Sequence, residues 1–166
     1  MSSNASINKT ILAFDTAMSG ISVGVIGSNG HICSRQVQTE RGQASLLIPI
    51  IDEVLKEAEL SIKDVDLLAC SKGPGSFTGL RIGLTMAKSL KLALNIPLIG
   101  ISNLEIMAHH YQNEYEPLLV VLETKRQLFY AQYFDKYDTV NPCFKKALTS
   151  KSLTNLCLFL IVSLEQ

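Results

Sequence analysis

The chain has 166 residues, 47% of them hydrophobic, with 15 Lys and Arg against 15 Asp and Glu. That length suits one compact domain, or one domain with part of a second, and the apolar share is enough for a sizeable core. The zero net charge argues against a protein that holds RNA alone and for one that reaches RNA through a partner, because proteins that neutralise phosphates by themselves usually carry an excess of Lys and Arg.

In chain order, residues 1–9 read as a polar, flexible terminus without the apolar core of a signal peptide. Residues 10–15 read as a buried strand ending in a carboxylate, 21–26 as a second strand and 31–38 as a third, with Asn29-Gly30 as a hairpin signal. A helix follows, in which Leu47, Ile50, Ile51, Val54, Leu55 and Ala58 recur at spacings of three and four. Ser45 is its expected cap, and Pro49 then falls in the first turn, where a missing N–H costs little. Residues 65–71 read as a short buried strand, and a helix crossing to it from the meander makes a mixed sheet.

Lys72-Gly73-Pro74-Gly75-Ser76 is a tight glycine-rich turn. A second helix is expected over 77–94, with Gly79, Gly83 and Ala87 forming a ridge of small side chains. Glycine inside a helix costs about 1 kcal/mol against alanine, so two on one face point to close packing. Asn95 and Pro97 end this helix. A strand at 98–101, a helix from the Ser102–Glu105 capping box to residue 112, and a hairpin of 118–123 with 127–134 complete the order βββαβαβαββ. Beyond Asp135 the pattern degrades: 145–155 is polar and aperiodic, and 156–162 is continuously apolar.

The candidate chemistry is sparse. Asp15-Thr16 and the small-residue loop after it suit either a phosphate cradle or a plain turn cap. Gly73, Gly75 and Ser76 stand where free amides and a helix dipole converge, which suits an anion or a turn needing glycine for steric reasons. There is no GxxxxGK[ST] loop and no GxSxG elbow. His109 and His110 are adjacent, hence about 100° apart on a helix and badly placed to share a metal. The separated Cys33, Cys70, Cys143 and Cys157 contain no CxxC pair and read as reduced structural thiols. No run reaches the roughly 20 apolar residues of a membrane span, so a cytoplasmic protein without a catalytic or metal site is expected. Acidic Asp52, Glu53, Glu57 and Glu59 on the first helix and basic Arg81, Lys88 and Lys91 on the second suit complementary docking.

Three stretches carry a family resemblance. Ile11-Leu12-Ala13-Phe14-Asp15-Thr16-Ala17 resembles the opening strand of the TsaB family, and GPGSFTGLRIG over 73–83 is similar to its signature. Glu123 to Tyr130 resembles the family's later hairpin, where Asp-Ala-Arg is commoner; the match spans roughly residues 10–135. The resemblance implies an α/β fold of the ASKHA type (actin-like, ribonuclease-H-like), with an actin-like domain over 10–112 and an incomplete second subdomain over 113–166. It implies a non-catalytic subunit of the bacterial machinery for threonylcarbamoyladenosine in tRNA, paired with the catalytic subunit TsaD and completed by TsaE. Homodimers through the same surface are a further implication. The expected interface is Leu47, Ile51, Val54, Leu55, Gly79, Leu80, Gly83 and Ala87, and the expected nucleotide-contacting set is Asp15, Thr16, Gly73, Gly75 and Ser76. No cofactor of its own is implied, with ATP at the complex interface and tRNA reached only through the complex. The rival readings are a small ASKHA ATPase or kinase using Asp15, and a glycoprotease-like metallopeptidase.

Overall fold

The computed structural model describes residues 9–18, 20–111, 118–123, 128–134 and 143–149, with Tyr111, Leu128 and 143–149 by backbone alone. β1 (Ile11–Asp15), β2 (Ile21–Ile26) and β3 (Ile32–Val37) form an antiparallel meander. α1 (Gln43–Glu57) leads to β4 (Leu67–Ser71), parallel to β1, and α2 (Phe77–Leu94) leads to β5 (Leu98–Ile101), parallel to β4. The sheet order is β3-β2-β1-β4-β5, the mixed sheet expected. α3 (Asn103–Tyr111), β6 (Leu118–Glu123), β7 (Leu128–Phe134) and β8 (Cys143–Thr149) follow, and the three strands pair as β6-β7-β8.

Residues Met1–Ser102 and Asn103–Gln166 are separate compact units. The boundary expected after residue 112 thus falls after Ser102, because α3 packs Leu104 and Ala108 with Val120 of β6. In that second unit Gln132 of β7 is buried opposite Val120, and neither amide atom has a hydrogen-bond partner among the described residues.

Register explains the core of the first unit. Side chains alternate across a strand, so Leu12 and Phe14 of β1 share a face with Val25 and Val23 of β2 and with Leu68 and Cys70 of β4. All are buried. α1 covers β2 and β3, and α2 covers β4 and β1. Arg35 of β3 reaches α1 at Glu53 (2.8 Å) and Glu57 (3.3 Å), and Lys56 pairs with Asp52 (2.6 Å).

Several boundaries differ from expectation. α1 starts at Gln43 behind a left-handed Gly42, and Ser45 instead donates its hydroxyl to the Gly42 carbonyl at 2.9 Å. Pro49 therefore sits in the second turn, where it forfeits an intrahelical bond; burial of Leu47, Ile50 and Ile51 around it offsets that loss. β4 starts at Leu67, since Asp66 is occupied in accepting the Thr10 N–H at 2.8 Å. A 3-10 turn at Ile62–Asp64 precedes it. The Asp64 carboxyl accepts the Ser61 backbone N–H, which lowers its pKa from the usual carboxylate value. β8 had no periodic signal; the backbone of β7 holds it, with a bulge between Ala131 and Tyr133. The apolar run 156–162, residues 1–8 and the 124–126 turn lie outside the described residues.

Candidate functional site

β1 and β4 are parallel neighbours, with Phe14 beside Cys70, so both strands end at the same level. That brings Asp15, Thr16 and Ala17 against Ser71, the Gly73–Ser76 turn and the start of α2. The Asp15 carboxylate accepts the Ala17 and Met18 amides, each at 3.1 Å, and the Ser71 hydroxyl. Thr16, only 1% exposed, donates its hydroxyl to the Gly79 carbonyl at 2.6 Å. The Ser76 N–H donates to the Ala17 carbonyl at 2.8 Å. The Ser76 hydroxyl oxygen caps α2 by accepting the Gly79 N–H at 3.2 Å.

Steric fit completes the clamp. A β-carbon on Gly79 would stand 1.9 Å from the Thr16 carbonyl oxygen, and one on Gly83 would stand 2.7 Å from the Thr16 hydroxyl oxygen. Gly75 lies as close to Ala17. Gly73 holds φ +93°, a conformation that favours glycine, and half-buried Leu80 lies over it. The five residues expected to contact nucleotide are thus together, but the polar groups named above bond one another.

Burial and the nearby Asp15 charge push the Cys70 thiol up from 9.0 to about 11. The unfolded chain therefore ionises Cys70 two units before the folded one does. A folded pKa above the unfolded value means stability is fully present below pH 9 and falls as pH rises towards 11. Replacing Cys70 with alanine is expected to flatten that alkaline decline in urea midpoints; an unchanged decline would assign it to other groups.

The expected interface residues lie elsewhere than on a free surface. Leu47, Ile51, Val54, Leu55 and Ala87 belong to the first unit's own core, and Gly79 and Gly83 are buried against Thr16, with only Leu80 half-buried. Helical periodicity marks a face that is buried without saying what buries it, and here the chain's own sheet does so. Ser71 was missed altogether, since its role depends on β4 pairing with β1, which leaves no local signal. His109 and His110 are exposed near the end of α3, and His31 Nε2 lies 3.3 Å from Cys33 Sγ. Among the described residues no three His, Cys, Asp or Glu converge as metal ligands, and no helix is long and apolar enough to cross a membrane.

A βββαβαβ unit with this strand order, its first strand clamped to the second crossover helix, is an actin-like, ribonuclease-H-like α/β domain. The family model described as TsaD, tRNA N6-adenosine threonylcarbamoyltransferase, matches residues 37–152. The chain therefore belongs to this family, of which the relatives below are TsaB-type members. A tRNA threonylcarbamoyladenosine biosynthesis protein TsaB from Buchnera aphidicola (subsp. Baizongia pistaciae) is 36% identical over 129 residues, 75% of this chain and 58% of the relative. TsaB of Escherichia coli K12 is 38% identical over 103 residues, 59% of this chain and 42% of the relative. The solved structure of YeaZ from Pseudomonas aeruginosa superposes with a TM-score of 0.77 at 27% identity, covering 84% of this chain and 67% of that one. The chain matches less than two thirds of the length of these TsaB relatives.

Proposed function

We propose that this chain is a non-catalytic subunit in the synthesis of N6-threonylcarbamoyladenosine on tRNA, and that it pairs with and activates a TsaD-type catalytic subunit in the cytoplasm, with TsaE completing the assembly. The observation that carries the reading is the clamp itself. The Gly73–Gly83 signature is spent on joining β1 to α2: Asp15 accepts three internal hydrogen bonds, and the Thr16 and Ser76 hydroxyls are committed to Gly79. A carboxylate so engaged is a poor general base, which must reach its substrate's proton. In this reading the chain holds no cofactor of its own, ATP is bound where the complex forms, and tRNA is reached through the complex. The zero net charge agrees with that division of labour. A homodimer is the form expected when the TsaD-type subunit is absent.

Reconstitution tests this. The TsaD-type subunit, TsaE and this chain are mixed with unmodified tRNA, ATP and threonylcarbamoyl donor, and modified adenosine is counted with and without the chain. Omission is expected to lower its formation by about tenfold or more, the scale of about 1.4 kcal/mol in a barrier. ATP turnover by the chain alone that disappears in Asp15→Ala would instead favour the nucleotide-hydrolysing reading.

A further inference from the structure

The connection between β2 and β3 holds Asn29-Gly30, the one asparagine in the chain that is followed by glycine. β2 ends at Ile26, opposite Ile32 of β3, and the chain reverses between them. Two main-chain bonds close the reversal. The Gly30 N–H donates to the Gly27 carbonyl and the Gly27 N–H to the His31 carbonyl, each at 2.8 Å. Gly30 takes φ +81°, the left-handed conformation that completes a short hairpin loop. Ser28, Asn29 and Gly30 are all exposed.

The Asn29 side chain folds back over the turn. A β-carbon added to Gly27 would stand 2.8 Å from Asn29 Oδ1 and 3.7 Å from its Cγ. In that position Oδ1 accepts the His31 backbone N–H at 2.9 Å. The amide carbon is thus held beside the main chain with a donor already on its oxygen. Gly30, whose nitrogen is next along the chain, has no side chain to hinder a close approach, and nothing lies within 4 Å of the place its β-carbon would take.

We propose that Asn29 is a site of spontaneous modification, at which the side-chain amide is converted to aspartate and isoaspartate. Gly30 N loses its proton to water and attacks Asn29 Cγ. The new N–Cγ bond closes a five-membered succinimide, the Cγ–Nδ2 bond breaks, and the amide nitrogen leaves as ammonia. Charge that develops on Oδ1 during the attack meets the His31 N–H already bonded there. Water then opens the ring. Cleavage at the Gly30 N–Cγ bond gives aspartate; cleavage between Gly30 N and the Asn29 main-chain carbonyl carbon gives isoaspartate, with the chain routed through Cγ. Either way one water enters and one ammonia leaves. The attack forfeits the bond from the Gly30 N–H to Gly27, and the net worth of one such bond limits the turn's protection to about tenfold. The aspartyl product keeps an oxygen for the His31 N–H. The isoaspartyl product puts an extra carbon into a tightly closed turn and pulls at the Ile26–Ile32 pairing beside it.

Asn95 is the internal comparison: it is exposed and left-handed at φ 53°, but Ile96, branched at its β-carbon, follows it. The full chain is kept folded in warm neutral buffer, and its peptides are weighed after digestion at intervals. The peptide holding Asn29 is expected to become one mass unit heavier, as a mixture of aspartyl and isoaspartyl forms, about tenfold or more ahead of that holding Asn95. Its rate should lie within about tenfold of that in the same chain unfolded in guanidinium chloride. Asn29→Gln, whose closure would need a six-membered ring, should stay unmodified at this position. Gly30→Ala should slow the reaction about tenfold, and reading that variant unfolded as well measures the hindrance whether or not it folds. An Asn29 that stays intact in the folded chain while it reacts in the unfolded one overturns the proposal, because the turn then protects the site. Asn95 keeping pace with Asn29 overturns it too, as does a Gly30→Ala variant that reacts at the wild-type rate.

Discussion

Gly79→Ala is expected to cost the fold about 3 kcal/mol. On a solvated helix the same change would gain about 1 kcal/mol from helix propensity, so the sign of the effect is itself the test. The added methyl would be centred 1.9 Å from the Thr16 carbonyl oxygen, and that neighbour is backbone, which cannot swing aside as a side chain can. Thr16 and Ala17 are also held in place: the Thr16 hydroxyl bonds the Gly79 carbonyl, and the Ala17 carbonyl accepts the Ser76 N–H. Relief of the clash therefore breaks the clamp. Overpacking costs about 1–3 kcal/mol, and a buried polar group left unpaired costs a further 1–3 or so; together these exceed the propensity gain. Urea unfolding of Gly79→Ala beside Thr85→Ala, on the exposed face of the same helix, measures it. The Thr85 variant should stay within about 0.5 kcal/mol of wild type. A Gly79 variant as stable as wild type, or more so, would mean that the clamp does not exist.

Leu47→Ala is expected to lower stability by about 2–5 kcal/mol. Leu47 is fully buried among Ile50, Ile51, Val54 and Leu55 of α1 and the sheet beneath. In a chain whose whole stability is expected to be about 5–15 kcal/mol, that loss should be plain in the denaturant midpoint. Binding to a TsaD-type subunit should then fall only as far as the folded fraction falls, and recover wherever the variant is folded. A Leu47 variant of native stability that bound poorly would return α1's buried stripe to the interface.

Most of the architecture could be read from residue order. The apolar run of β1, the alternation of β2, the three–four spacing in α1, and the Asn95 and Pro97 end of α2 are local signals, and each accompanies an element that formed. What failed was set at a distance. β8 exists because β7 offers it a backbone ladder, and the 3-10 turn before β4 depends on Ser61 and Asp64 capping one another. α3 passed to the second unit because Leu104 and Ala108 found Val120 there.

The Gly73–Gly83 signature shows the same division. As a string it carried the family, and its glycines announced a close approach at Gly79 and Gly83. The sequence by itself determined that something must come within a hydrogen's width of those positions, because glycine in a helix is otherwise a loss. Only the tertiary structure decided that the visitor is Thr16 of the same chain and not a partner. A helix has one buried face whoever covers it, and β1 reached this one first through its parallel pairing with β4. With that face occupied, the side left to solvent is the one bearing Phe77, Arg81, Lys88 and Leu92.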